Sequence, residues 1–125
     1  MAPKNILLVD DDDVFVSALT AILESRYRVR SASNGSEAMQ KVNEERPDLI
    51  ILDVMMDYLS EGFDVARKLR TDPATKSIPL IMLTGVDRMY DYRMEMDESW
   101  VPLDRYLEKP VEPKTLIAEV EALIG

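Results

Sequence analysis

The chain has 125 residues and a net charge of -9, and it contains neither cysteine nor histidine. This length suits a single compact domain, which we place at residues 1–125. The charge disfavours direct binding to nucleic acid or to anionic membranes. The missing residue types exclude disulfides, thiol nucleophiles and thiolate or imidazole metal ligands, so any metal must be held by oxygen.

Short apolar segments alternate with amphipathic segments along the chain. The apolar segments are typical of strands buried on both faces of a parallel sheet, and the amphipathic segments repeat apolar residues at helical spacing. The predicted strands cover 5–10, 29–32, 48–53, 79–84 and 106–108. The predicted helices cover 14–23, a segment from 38 towards Pro47, 63–69, 89–98 and a segment opened by Pro113.

This alternation indicates parallel strands joined by right-handed crossovers, because a tight turn cannot connect parallel neighbours. We therefore expect an α/β fold with a doubly wound, five-stranded parallel sheet of flavodoxin-like order 2-1-3-4-5 and five helices. Ligands bind such sheets at the carboxyl ends of the strands. The residues predicted to lie there are Asp10, Asp11, Asp53, Thr84 and Lys109.

Three of these residues are carboxylates on the first and third strands, which are neighbours in this strand order. Two unit charges ~4 Å apart repel by about 4 kcal/mol at an effective dielectric of about 20, so the cluster needs a cation. Mg²⁺ suits it, because this ion takes one or two carboxylates together with phosphate oxygens and water. With Lys109 as a second positive charge, the pattern indicates a phosphoryl-transfer pocket. We assign the following residues, Asp12 and Asp13, to capping of the first helix.

Four segments resemble the response-regulator receiver family, in the family's order and across nearly the whole chain. They are Leu8-Val9-Asp10-Asp11-Asp12, Ile51-Leu52-Asp53-Val54-Met55-Met56, Met82-Leu83-Thr84-Gly85 and Tyr106-Leu107-Glu108-Lys109-Pro110. The resemblance implies that Asp53 accepts a phosphoryl group from a histidine kinase, a phosphotransfer protein or a small donor. It also implies Mg²⁺ as the cofactor, with Asp53, Asp11, Asp10 through water and the backbone carbonyl of Met55 as ligands.

The same resemblance assigns the switch residues. Thr84 is similar to the hydroxyl that moves to a phosphoryl oxygen, and Tyr106 is similar to the aromatic residue that fills the vacated space. Lys109 is similar to the lysine that contacts the phosphoryl group, and the Lys109-Pro110 bond resembles the family's cis peptide. The implied output is a changed face on the fourth helix, fifth strand and fifth helix, which binds an unknown protein target or forms a dimer.

Several alternatives stay open. Tyr106 fits equally a core aromatic whose hydroxyl reaches the rim. The Met and Tyr side chains of 89–96 fit either a core stripe or an adaptable binding surface. A Mg²⁺-dependent phosphohydrolase needs a second carboxylate two residues after Asp53, where Met55 stands, so we expect a signalling module and not an enzyme.

A receiver-like adaptor that acts without phosphorylation is the remaining alternative. Asp57 stands where the family usually has proline, and the segment between Thr84 and Lys109 is longer than is common. The beginning of the chain has no charged leader or long apolar stretch, so we expect a cytoplasmic protein without a membrane partner. The last predicted helix ends at the chain terminus, and we therefore expect output through another protein.

Overall fold

A computed structural model describes residues 3–53, 61–85, 105–109 and 111–125. Strands and helices alternate in this part of the chain. The strands are β1 Asn5–Val9, β2 Arg28–Ala32, β3 Leu49–Asp53, β4 Leu80–Gly85 and β5 Arg105–Lys109. The helices described are α1 Asp13–Leu23, α2 Gly35–Glu44, α3 Glu61–Thr71 and α4 Pro113–Ile124. None of the helices described has both the length and the apolar character that crossing a membrane requires.

The strands form a parallel sheet in the order β2-β1-β3-β4-β5. Strand order reverses between β1 and β3, which is where ligands bind in doubly wound sheets. The register pairs Val9 with Leu52 and Asp53 with Leu83, so β1, β3 and β4 end at the same edge. The flavodoxin-like parallel α/β sheet expected from the sequence is thus confirmed.

Helices cover both faces of this sheet, which explains why the central strands are mainly apolar. Every residue of β1 and β3 is buried. One face of the sheet carries Leu7, Val9, Ile50, Leu52, Leu80 and Met82, which pack with buried residues of α2 and α3. The other carries Ile6, Leu8, Leu49, Ile51, Ile81 and Leu83, which pack with α1 and α4. Each buried Leu or Ile contributes about 1.5–3 kcal/mol, so the central strands hold the site's framework rigidly.

Polar side chains fix where two helices start. The Oδ1 atom of Asp12 accepts hydrogen bonds from the backbone amides of Val14 and Phe15, at 3.0 and 3.1 Å. Asn34 accepts the amide of Glu37 in the same way, at 2.9 Å. These bonds satisfy amides that have no partner within the helix. The capping role expected of Asp12 is therefore confirmed.

The described elements differ from the sequence expectations mainly at their ends. The third helix extends over Glu61–Thr71, beyond the expected 63–69. β3 begins at Leu49 and not at Asp48, and the Asp48 carboxylate accepts the Asn5 amide at 2.7 Å. The helix predicted over 89–98 lies outside the described residues, so the count of five helices stays a prediction.

A polar network closes the amino-terminal edge of the sheet. Asn5 is buried there, and its Oδ1 atom accepts hydrogen bonds from Nε and Nη2 of Arg30 at 3.3 and 3.2 Å. Its Nδ2 atom donates to the carbonyl of Arg46 at 3.1 Å. The buried Asn5 side chain is thus hydrogen-bonded within the protein, at the edge of the sheet opposite to Asp10 and Asp53.

Candidate functional site

Two buried carboxylates lie at the carboxyl edge of the sheet. Asp10 directly follows β1, and its backbone amide donates to the carbonyl of Ala32 at 3.0 Å, which extends the β1–β2 pairing by one residue. Asp53 is the last residue of β3. Their exposed fractions are 4% and 7%, and aspartate side chains are seldom buried to this extent. Both carboxylates thus lie at the switch point of the sheet, the place where ligands bind in this class of fold.

Asp11 completes an acidic pocket, which we define as Asp10, Asp11 and Asp53. Each of the three offers one carboxylate oxygen, and these oxygens all lie within 4.8 Å of one another. The sequence prediction that the three carboxylates meet is confirmed by this geometry. At such separations each pair of charges repels by a few kcal/mol at an effective dielectric of about 20. A cation that binds all three therefore relieves a large unfavourable energy.

The donor set fits a hard divalent cation. All three ligand atoms are carboxylate oxygens, the class of ligand that Mg²⁺ prefers. Asp10 and Asp53 are buried, whereas Asp11 is exposed. Solvent can therefore reach one side of the pocket and supply the waters that Mg²⁺ usually keeps.

The turn between β1 and α1 gives its consecutive aspartates different tasks. The Oδ1 atom of Asp10 accepts the backbone amide of Asp12 at 2.9 Å, which holds the turn against the strand end. Asp12 in turn uses its own Oδ1 atom to cap α1. Asp13 is the first residue of α1. This arrangement commits Asp12 to the helix and leaves Asp11 next to the two buried carboxylates.

The backbones of Thr84 and Lys109 lie near the same edge of the sheet. Thr84 pairs with Glu108, and Gly85 pairs with Lys109, at the carboxyl ends of β4 and β5. Tyr106 lies further back in β5, opposite Met82. The side chains of Thr84, Tyr106 and Lys109 lie outside the described residues. Their roles therefore stay predictions.

Two further residues of the expected site, Met55 and Pro110, lie outside the described residues altogether. The metal-ligand role of the Met55 carbonyl and the cis peptide at Pro110 stay predictions as well. Sequence reasoning missed the contact between the Asp10 carboxylate and the Asp12 amide. The only signal for it is the run of aspartates after an apolar strand, which does not specify which carboxylate turns back.

Comparison with known protein families matches residues 6–121 to the response regulator receiver domain. The chain belongs to the response-regulator receiver family. Receiver domains work as signalling modules of two-component systems and not as classical enzymes. They interact with histidine kinases or phosphotransfer proteins and with downstream targets, and they bind Mg²⁺ in an acidic pocket.

Curated relatives include proteins with and without further sequence beyond the receiver. The alkaline phosphatase synthesis transcriptional regulatory protein PhoP of Bacillus subtilis is 38% identical over 122 residues, which cover 97% of this chain. The receiver spans about half of that protein, 48% of its length. Protein PilH of Pseudomonas aeruginosa is 34% identical over 124 residues, which cover 96% of this chain and 97% of PilH.

One similar solved structure contains a metal. The receiver domain of the sensor histidine kinase PA1611 from Pseudomonas aeruginosa has a magnesium ion coordinated in its active site cleft. It matches this receiver with a TM-score of 0.85 and 28% identity, over 99% of both chains. A receiver of nearly the same fold therefore holds the cation that the donor set of the acidic pocket fits.

Proposed function

We propose that this receiver accepts a phosphoryl group on Asp53 in a Mg²⁺-dependent reaction and signals through a changed protein-binding surface. The observation that carries the proposal is the meeting of Asp10, Asp11 and Asp53 at the carboxyl edge of the sheet, with their carboxylate oxygens within 4.8 Å. The carboxylates of such a cluster repel one another unless a cation binds them. A bound cation also offsets their negative charge, so that an anionic phosphoryl group can approach.

The reaction transfers a phosphoryl group to a carboxylate oxygen, either from the nitrogen of a phosphohistidine or from an oxygen of a small phosphodonor. A carboxylate oxygen of Asp53 attacks the phosphorus of a phosphohistidine on a kinase or phosphotransfer protein, or of a small phosphodonor. The new bond is an acyl phosphate, and the old bond to phosphorus breaks with its electron pair on the departing nitrogen or oxygen. Mg²⁺, when bound, offsets negative charge on the transferring oxygens. Slow hydrolysis of the acyl phosphate resets the domain.

The remaining site residues act on the phosphoryl group or on the ligands around it. Lys109 pairs with a phosphoryl oxygen, aimed by a cis peptide at Pro110. Thr84 donates its hydroxyl to another phosphoryl oxygen, and Tyr106 moves into the space that Thr84 leaves. The carbonyl of Met55 completes the metal ligands. These assignments rest on the family motifs and on the backbone register that brings β4 and β5 to the edge of the acidic pocket.

The signal leaves through the face formed by residues 89–98, β5 and α4. In this proposal residues 1–125 form one cytoplasmic domain, and residues 89–98 supply its fifth helix. The target is a protein, since a net charge of -9 repels nucleic acid and anionic lipid. The same face also serves for a phosphorylation-dependent dimer. Support comes from Leu107 of β5 and Leu123 of α4, which pack on the core cluster that also contains Leu83 of β4.

Amide NMR spectra test this switch directly. Wild type treated with Mg²⁺ and acetyl phosphate should show shifted amides in β5 and α4, because a new phosphoryl group at Asp53 repacks their end of the sheet. Asp53→Asn under the same treatment should show no such shifts. If the wild-type changes stay confined to residues 10–13 and 53, phosphorylation does not reach the proposed output face and the switch is wrong.

A further inference from the structure

The outer edge of β2 is an unpaired strand edge in the described sheet. The Arg28 amide donates to the Lys4 carbonyl at 2.9 Å, and the Ala32 carbonyl accepts the Asp10 amide at 3.0 Å. These bonds turn the backbone groups of residues 28, 30 and 32 towards β1. Because backbone direction alternates along a strand, the groups of 29, 31 and 33 point outward. Outward amides and carbonyls of this kind are a template for pairing with another chain.

Two charged side chains of α2 occupy the carboxyl half of this edge. The Lys41 Nζ atom donates to the carbonyl of Ser31 at 2.6 Å. The Glu37 Oε2 atom accepts from the Ser33 hydroxyl at 2.9 Å and from the Ser33 amide at 3.4 Å. The Lys41 ammonium group is thus hydrogen-bonded to one outward carbonyl of the strand edge. The Glu37 carboxylate is hydrogen-bonded to the next outward amide.

The two side chains also support each other. Glu37 and Lys41 are one helical turn apart, with 3.8 Å between Nζ and Oε1. The hydrogen bonds from Ser33 lower the pKa of the Glu37 carboxyl below its ordinary value of 4.5, and the charge of Lys41 adds to this effect. The Glu37 carboxylate is therefore charged at neutral pH, and an incoming strand would have to separate both side chains from the edge.

We propose that Glu37 and Lys41 form a latch over the outer edge of β2 that prevents a second copy of this chain from pairing there. The second copy is the relevant occupant because every molecule carries the same edge, and a two-fold axis brings two such edges together antiparallel. With the latch in place, the outward groups that remain on β2 are the amide and carbonyl of Val29 and the amide of Ser31. This stretch is too short for a stable strand pair.

The latch makes pairing unfavourable for two reasons. An incoming strand must displace Lys41 from the Ser31 carbonyl and Glu37 from the Ser33 amide. Both charged groups would then lie beside the new interface without their hydrogen bonds to the strand edge, which is costly when water is removed. Association is thereby directed away from the β2 edge and towards other faces of the molecule.

The test is the self-association of a latch variant, Glu37→Ala with Lys41→Ala, measured by sedimentation velocity over a wide range of protein concentration. The double substitution keeps the net charge and places good helix formers in α2. We expect its dimer dissociation constant to fall at least tenfold below that of wild type. If the latch variant sediments like wild type at every concentration, the proposal is wrong.

A matched control removes an ion pair of the same signs elsewhere. Arg26 and Glu121 form an exposed ion pair that joins the turn between α1 and β2 to α4. The double variant Arg26→Ala with Glu121→Ala should sediment like wild type, because the ion pair that it removes is with α4 and not with the outward groups of β2. Equal association of this control and the latch variant would contradict a specific role for the latch.

Two further variants locate the new contact. Lys41→Met alone keeps the Glu37 contacts at the start of α2 but frees the Ser31 carbonyl, so it should also self-associate if the double variant proves too unstable to study. Adding Ser31→Pro to the latch variant removes an outward amide, which edge strands tolerate, and should restore the monomer. Dimers that persist with Ser31→Pro would show that the contact lies on another surface and would overturn the proposal.

Discussion

Mg²⁺ should raise the thermal midpoint of the wild-type receiver, and Asp11→Ala should largely remove this rise. In the proposed function the ion binds the folded pocket, and the unfolded chain does not hold the three carboxylates together. A ligand at 100 times its dissociation constant adds about 2.7 kcal/mol to the free energy of unfolding. Asp11 is the exposed member of the pocket, so its removal takes away a ligand without opening a cavity in the core. Thermal unfolding followed by circular dichroism, with and without Mg²⁺, gives the comparison.

The neighbouring aspartate supplies a matched control. Asp12 caps α1 through Val14 and Phe15, and it is not among the three clustered carboxylates. Asp12→Ala should therefore lower the stability by about 1 kcal/mol through loss of the cap, while its Mg²⁺ response stays close to that of wild type. An equal Mg²⁺ response in wild type and Asp11→Ala would show that Asp11 is not a ligand.

Without metal, Asp53→Asn should leave the free energy of unfolding unchanged or raise it. Asparagine keeps the size of the side chain and removes one of three charges that lie within 4.8 Å of one another, so it relieves repulsion in the buried pocket. With Mg²⁺ the wild type should become the more stable of the two proteins, because the cation adds more to its free energy of unfolding than to that of the variant. Urea unfolding under both conditions measures the two differences.

Asp48→Asn is a suitable control for that comparison. Asp48 lies at the opposite edge of the sheet, where its carboxylate accepts the Asn5 amide at 2.7 Å. Removing its charge should not be stabilising and should not change the response to Mg²⁺. If Asp53→Asn lowers the stability by more than about 2 kcal/mol without metal, Asp53 has a structural role that the repulsion argument does not include.

The parts of the fold that sequence reasoning predicted are those fixed by apolar pattern. Strands β1 and β3 are continuous apolar runs, and each is followed or ended by aspartate, so the pattern predicts both the sheet and the meeting of Asp10 with Asp53. A parallel sheet brings the ends of neighbouring strands together regardless of the sequence in its loops. The acidic pocket could therefore be predicted from the sequence alone.

Other features of the structure depend on the conformation of a turn or on the packing of a helix, which the pattern of apolar residues in the sequence does not specify. Four consecutive aspartates look alike in the sequence, and the conformation of one turn decides that Asp12 caps α1 while Asp11 joins the pocket. The contacts of Glu37 and Lys41 with the β2 edge depend on how α2 packs against the sheet. In the sequence such a pair has only the spacing of an ordinary i,i+4 ion pair, because helical spacing reveals neighbours on the same helix only.

In the proposed function Asp53 accepts a phosphoryl group with the help of Mg²⁺, and the intact mass of the protein tests this most directly. Wild type and Asp53→Asn are incubated with acetyl phosphate, with and without Mg²⁺, and quenched quickly because acyl phosphates hydrolyse. We expect wild type to gain one phosphoryl group only with Mg²⁺ and Asp53→Asn to gain none. Equal modification of the variant, or an unmodified wild type under conditions where Mg²⁺ raises its thermal midpoint, would contradict the proposed function.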